Sequence, residues 1–141
     1  LSRQFFALPE ADKLAIEMVN SPHFRGYNRK GMEFTRGQRD WREQVDFGPE
    51  REALPRGADA PAWARIQGPN QWPAALPELR EVILRYQAAA ASLAQRLVQL
   101  FAAALGQDPN VFAPIYTPEP HYLLKIIRYP GRDATESDQG V

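Results

Sequence analysis

The residues best able to do chemistry are few and scattered. The chain of 141 residues has two histidines, His23 and His121, and no cysteine. A metal site needs such ligands at short characteristic spacings, and neither histidine has a partner. Arg25 stands two residues after His23 and Leu123 two after His121, so no H-x-D or H-E-x-x-H pattern occurs. The lack of cysteine removes thiolate nucleophiles, disulfides and Cys-ligated zinc, and it fits a cytoplasmic setting. Ser2, Ser21, Ser92 and Ser137 lie outside any G-x-S-x-G elbow, and no glycine pattern matches a phosphate loop. Glu50 with Glu52, and Glu78 with Glu81, sit beside turns or on a first helical turn, where they read as solvated charges. Arg25, Arg29, Lys30, Arg36, Arg39 and Arg42 would suit an anion, but Glu33, Asp40, Glu43 and Asp46 are interleaved with them. Mutual surface pairing is the plainer account. Taken residue by residue, the chain has no identifiable catalytic centre.

The whole-chain quantities agree. Seventeen basic residues balance seventeen acidic ones, which disfavours a nucleic-acid or other polyanion partner. At 44% hydrophobic residues a real core is expected, and the length suits one domain. No apolar run is long enough to span a bilayer, so the chain reads as soluble with no membrane partner. Leu1 followed closely by Phe5, Phe6 and Leu8 looks like a helix entered partway, and Asp133 to Val141 reads as a polar loop. Both ends suggest an excerpt of a longer protein.

Several elements are legible. Pro9 with Glu10, Ala11 and Asp12 signals a helix start, with Leu14, Ala15, Met18 and Val19 as its buried face and Asn20 to Pro22 as its end. Residues 23 to 57 alternate aromatic runs with glycines and predict loop and short strand. From Ala58 to Pro77, prolines and two tryptophans predict an ordered irregular segment. Leu79, Val82, Ile83, Tyr86, Ala90, Leu93, Leu97, Leu100, Phe101, Ala104 and Leu105 recur at helical spacing, so a long helix is expected over Pro77–Leu105, stopped by Gly106. A stripe of this kind is most simply core, although an interaction helix has the same pattern. Asp108–Pro109 opens a short helical turn ending near Phe112. His121 to Pro130 is a strand with Tyr122, Leu124, Ile126 and Arg128 on one face and Leu123, Lys125, Ile127 and Tyr129 on the other. Both faces are largely apolar, which predicts a core strand whose partners come from outside the chain or from the short pieces upstream.

The order of the motifs is more specific than any one of them. Phe5-Phe6-Ala7-Leu8-Pro9 with Lys13, Arg25-Gly26-Tyr27, Trp41-Arg42-Glu43 leading to Asp46-Phe47-Gly48, Gly68-Pro69-Asn70-Gln71-Trp72-Pro73, and Leu124-Lys125-Ile126-Ile127-Arg128-Tyr129-Pro130 follow one another along the chain. In that order they resemble the N-terminal region of iron(II)- and 2-oxoglutarate-dependent oxygenases of the isopenicillin N synthase-like family. The resemblance implies an α+β fold in which a helical N-terminal region with one long helix leads into a double-stranded β-helix, or jelly roll, mostly absent from this chain. Residues 1–120 would form the N-terminal helical and loop region, and 121–141 the first strand and loop of the jelly-roll domain.

The resemblance also implies an activity: oxidation of a small organic substrate by molecular oxygen, with 2-oxoglutarate converted to succinate and CO2 at a ferrous iron. In the family an H-x-D pair follows a segment resembling Asp138-Gln139-Gly140-Val141, so the full-length protein would carry Fe(II) and 2-oxoglutarate. The 141 residues alone are expected to be inactive, without catalytic residues, metal ligands or bound cofactor. Pocket residues carried over are Tyr129, beside the cosubstrate or substrate; Ile127, where many plant members have asparagine; Lys125, which either aims a charge into the pocket or snorkels to solvent; and Arg25, which either holds a substrate carboxylate or makes a surface ion pair. A monomer is expected. The competing class is a non-enzymatic helical interaction module that has lost the catalytic core.

Overall fold

The computed structural model describes residues 1–55, 57, 60–116 and 120–131. The polar tail expected at Asp133–Val141 lies outside them. Two five-residue helices, α1 (Ser2–Phe6) and α2 (Glu10–Leu14), open the chain, and a 3-10 turn over Met18–Asn20 follows. The expected helical face of Leu14, Ala15, Met18 and Val19 does not form. The helix ends at Leu14, because Glu17 turns to bridge Tyr27 and Ile16 O accepts the Tyr27 N–H; Val19 is left 80% exposed, and Ile16 and Lys13 are buried instead.

The short pieces upstream supply the strands. β1 (Gly26–Asn28) and β4 (Glu43–Phe47) pair antiparallel, and β4 pairs antiparallel with β5 (Leu124–Arg128), giving the order β1-β4-β5. β2 (Phe34–Thr35) and β3 (Gln38–Arg39) form a separate hairpin, turned at Arg36 and Gly37, both with positive φ. β5 is therefore an edge strand among the described residues rather than one covered on both sides. Leu124 and Ile126 pack on the core, while Leu123 and Ile127 are 52% and 39% exposed.

The long helix is α3 (Glu78–Ala104), and Gly106 at φ 71° takes the left-handed conformation that ends it. Its first turns enter the main core cluster, where Leu79 and Ile83 join Phe5, Phe6, Ile16, Tyr27, Val45, Phe47 and Leu76, and farther along only Gln87 and Ala102 are buried. Leu93, Leu97, Leu100, Phe101 and Leu105 are exposed, contrary to a stripe that is core throughout. Size explains this: 27 residues extend about 40 Å, whereas three strands spaced roughly 4.8 Å apart cannot underlie that length. The turn expected after Asp108 is present, with Asp108 Oδ1 accepting from Asn110 N–H and Asp108 O from Val111 N–H, and a short helix, α4 (Ala113–Tyr116), follows it.

Two side chains of the Gly68–Pro73 loop hold these parts together. Asn70 extends the β4 ladder by one residue: its Oδ1 accepts from Gly48 N (2.8 Å) and its Nδ2 donates to Gly48 O (2.9 Å). Gln71 Nε2 reaches the carbonyls of Ile16, Glu17 and Arg25 at 2.8–3.3 Å. Gly26 makes room for that approach, since a Cβ there would collide with Ile16 O and Gln71 Nε2, and its φ of 120° suits glycine alone.

Candidate functional site

Alternation along β4 and β5 divides their side chains between two faces. On the core face Glu43, Val45 and Phe47 lie opposite Arg128, Ile126 and Leu124. Glu43 is 6% exposed and still ionised, because its oxygens collect three donors: Tyr27 Oη at 2.6 Å and Lys13 Nζ at 3.0 Å on Oε2, and Arg128 NH1 at 2.8 Å on Oε1. Burial pushes the carboxyl pKa up, but the hydrogen bonds from Tyr27 and Lys13, the lysine charge and the Arg128 hydrogen bond outweigh it. The net result is below the ordinary value of 4.5. Tyr27 answers in the opposite direction, its phenol raised by burial and by the bond to Glu43.

The opposite face of the same strands is polar. Gln44 Nε2 donates to Asp46 Oδ2 and to Glu33 Oε1, each at 2.8 Å, and Asn28 Nδ2 adds a 3.2 Å bond to Glu33. Arg42 reaches Glu33 at 2.7 Å and Asp40 at 2.9 Å. Asp46 is fully buried; its Oδ1 stands 3.2 Å from Lys125 Nζ, an ionic contact rather than an aligned hydrogen bond. The Arg42 pKa is raised chiefly by its bond to Glu33.

Three of the residues singled out from the sequence are thus neighbours in space. Lys125 and Ile127 occupy the polar face of β5, and Tyr129 continues that parity just past the strand, 49% exposed. Arg25 lies apart, 1% exposed beneath Gly48. Its NH1 donates to His23 O (2.8 Å) and Phe24 O (3.1 Å), and its NH2 to Ile66 O (3.1 Å). Burial lowers its pKa and the charge of Asp46 opposes the shift. A surface ion pair is therefore the wrong description of Arg25. The surface-pairing account also fails for Asp40, Glu43 and Asp46, all buried, although it holds for Arg29 with Glu17. Sequence reasoning passed over Glu43, Gln44 and Asp46. Their signal was the two-residue alternation of Glu43-Gln44-Val45-Asp46-Phe47, which makes a strand with one mixed and one polar face.

The histidines stay separate. His23 Nδ1 is 3.0 Å from Arg65 O, and His121 sits with Arg51, Trp63 and Gln67 around a shallow cavity. Burial, then Arg25 and Arg51, lower the His121 pKa. Among the described residues no three His, Cys, Asp or Glu side chains converge into a group that could hold a metal, and no helix is long and apolar enough to cross a membrane.

In sequence and in fold the chain is similar to known non-haem dioxygenases. The chain belongs to that family: the family's model, described as the N-terminal region of a non-haem dioxygenase in morphine synthesis, matches residues 1–75. Similar proteins include the 2-oxoglutarate-dependent dioxygenase frbJ of Dothideomycetidae sp. (strain 11243), 40% identical over 91% of this chain and 34% of that protein. A homoarginine-6-hydroxylase of Arabidopsis thaliana is 31% identical over 93% of this chain and 36% of its own length. Among solved structures, a 2OG-Fe(II) oxygenase family protein from Caulobacter crescentus superposes with a TM-score of 0.71 at 24% identity, covering 95% of this chain and 43% of that one. A full-length Neurospora crassa protein crystallised in complex with alpha-KG gives 0.67 at 23% identity, covering 92% and 39%. The chain spans about a third to two fifths of the length of the curated relatives it matches. At these identities the structural likeness concerns the fold.

Proposed function

We propose that the protein is a non-haem Fe(II)- and 2-oxoglutarate-dependent oxygenase that oxidises a small organic substrate, releasing succinate and CO2. The single observation that carries this reading is the family match over residues 1–75; relatives named as 2-oxoglutarate-dependent dioxygenases extend the similarity along more than nine tenths of the chain. Residues 1–120 form the N-terminal helical and loop region, and 121–141 open the jelly-roll domain. The described residues do not fit an iron site, since no metal-holding group exists among them.

What this chain contributes is a wall. Lys125, Ile127 and Tyr129 line the cosubstrate or substrate pocket from the polar face of β5. Ile127 supplies an apolar surface, and the O–H of Tyr129, 49% exposed as a residue, donates to a carboxylate oxygen. Lys125 offers a cation held in place by Asp46. Arg25 stands behind the wall, where its charge acts on Asp46 from the interior. Turnover of 2-oxoglutarate to succinate by the protein expressed from its whole natural gene, with and without added Fe(II), tests the activity. Iron-dependent succinate is expected, and its complete absence across a panel of small amines, amino acids and nucleobases would refute the reading. Tyr129→Phe is expected to raise the Michaelis constant for 2-oxoglutarate or substrate by the equivalent of about 0.5–1.5 kcal/mol, the worth of one hydrogen bond.

A further inference from the structure

β5 and the residue just before it carry two apolar side chains of each parity, Leu124 and Ile126 on one face and Leu123 and Ile127 on the other. Hydrophobic burial therefore discriminates poorly between this register and one slipped by a residue, which would exchange the faces. The charges are not ambiguous. Glu43 lies directly opposite Arg128 and Asp46 directly opposite Lys125, and each pair is closed, at 2.8 Å and 3.2 Å. The two pairs are on opposite faces of the sheet. In both, the acid is deeply buried (side chains 8% and 0% exposed), while the cation comes from the edge strand and reaches solvent.

We propose that these two cross-strand ion pairs act as a register lock, making Glu43 and Asp46 positioning residues that decide which face of β5 presents Lys125, Ile127 and Tyr129. Sliding β5 by one or two residues either way sets Glu43 opposite Ile126, Ile127, Tyr129 or Pro130, and Asp46 opposite Leu123, Leu124, Ile126 or Ile127. Neither acid then has an opposing cation from β5, and a buried carboxylate deprived of its partner is strongly destabilising. Glu43 retains Lys13 and Tyr27 in any register, so Arg128 adds registry to a site already partly neutralised. Asp46 retains the Gln44 amide and the more distant Arg25, which makes Lys125 its closest cation. Among the described residues β5 is paired on one side only, and an edge strand is where such a device is needed. The consequence for catalysis rests on the oxygenase reading above; the lock itself does not.

The decisive variant moves both cations one residue toward the N-terminus while keeping the composition of β5: Leu124→Lys, Lys125→Leu, Ile127→Arg and Arg128→Ile together. In the original register and in the one shifted by a residue, two apolar side chains and one cation then face Glu43, Val45 and Phe47. Only the shifted register sets that cation against Glu43. Cross-strand nuclear Overhauser contacts are expected to shift by one residue, placing position 127 opposite Glu43 and position 124 opposite Asp46. Contacts that stay in the original register would overturn the proposal. A second pair of variants covers failure of the first to fold. Lys125→Gln with Arg128→Gln should speed amide exchange in β5 by about tenfold or more while the first turns of α3 keep theirs, and Lys125→Arg with Arg128→Lys should restore protection. Unchanged β5 exchange in the neutral pair, loss of protection in α3 as well, or no rescue by the conservative pair would each refute it. These readouts need no turnover, so a failed lock and a failed oxygenase assignment are told apart.

Discussion

Glu43 shows how a charged residue becomes a structural centre. A carboxylate this buried is tolerated because three donors from α2, β1 and β5 surround it. Glu43→Gln is expected to cost about 3 kcal/mol in urea unfolding near neutral pH, the scale for removing one partner from a buried pair. Because the folded carboxyl lies below its ordinary pKa of 4.5, its contribution is complete above that value and is lost as the pH falls through the lower folded value. Stability measured from pH 7 down to pH 3 should fall more steeply in the native protein than in Glu43→Gln. Gly26 is the second sensitive residue. Gly26→Ala combines a positive φ with a collision against backbone and Gln71, and a loss of about 2 kcal/mol or more is expected from thermal unfolding.

At the scale of elements, the irregular loop carries more than its lack of secondary structure suggests. Gln71 offers one amide nitrogen to three carbonyls belonging to the end of the α2 region and the start of β1. Gln71→Ala should destabilise by about 1–3 kcal/mol, because Arg25 O loses a donor, whereas Ile16 O keeps the Tyr27 N–H and Glu17 O the Asn20 N–H. The prediction is checked by denaturant titration, with circular dichroism expected to show α3 intact in the folded state. The boundaries of α3 were readable from Pro77 and Gly106, and β5 from the run of apolar and aromatic residues between His121 and Pro130. β4 was not, because its five residues mix two acids and a glutamine with Val45 and Phe47. Short strands of this composition declare themselves only when a partner fixes their faces.

For the molecule as a whole, the division between the buried and exposed parts of α3 is the main surprise. Leu79→Ala is expected to cost about 2–5 kcal/mol, and Leu97→Ser with Phe101→Ser no more than about 1 kcal/mol, when each variant of these 141 residues is unfolded in urea. The same double variant should lower the fluorescence of bound anilinonaphthalene sulfonate, a probe of exposed apolar surface, and unchanged fluorescence would mean that this face is covered in solution.

The sequence by itself determined the local and periodic features: where the long helix starts and stops, that a strand, observed as Leu124–Arg128, lies within residues 121–130, which side chains of that strand share a parity, and, through the order of its motifs, the family. Those follow from near-neighbour rules that need no partner. The tertiary structure alone decided that β4 lies between β1 and β5, that most of the apolar stripe of α3 beyond Ile83 stays exposed, and that Arg25, Asp40, Glu43 and Asp46 are interior rather than surface charges. Whether a charge can be buried depends on donors far along the chain. Lys13, Tyr27 and Arg128 meet at Glu43 from separations of 30, 16 and 85 residues, and no local pattern encodes that convergence.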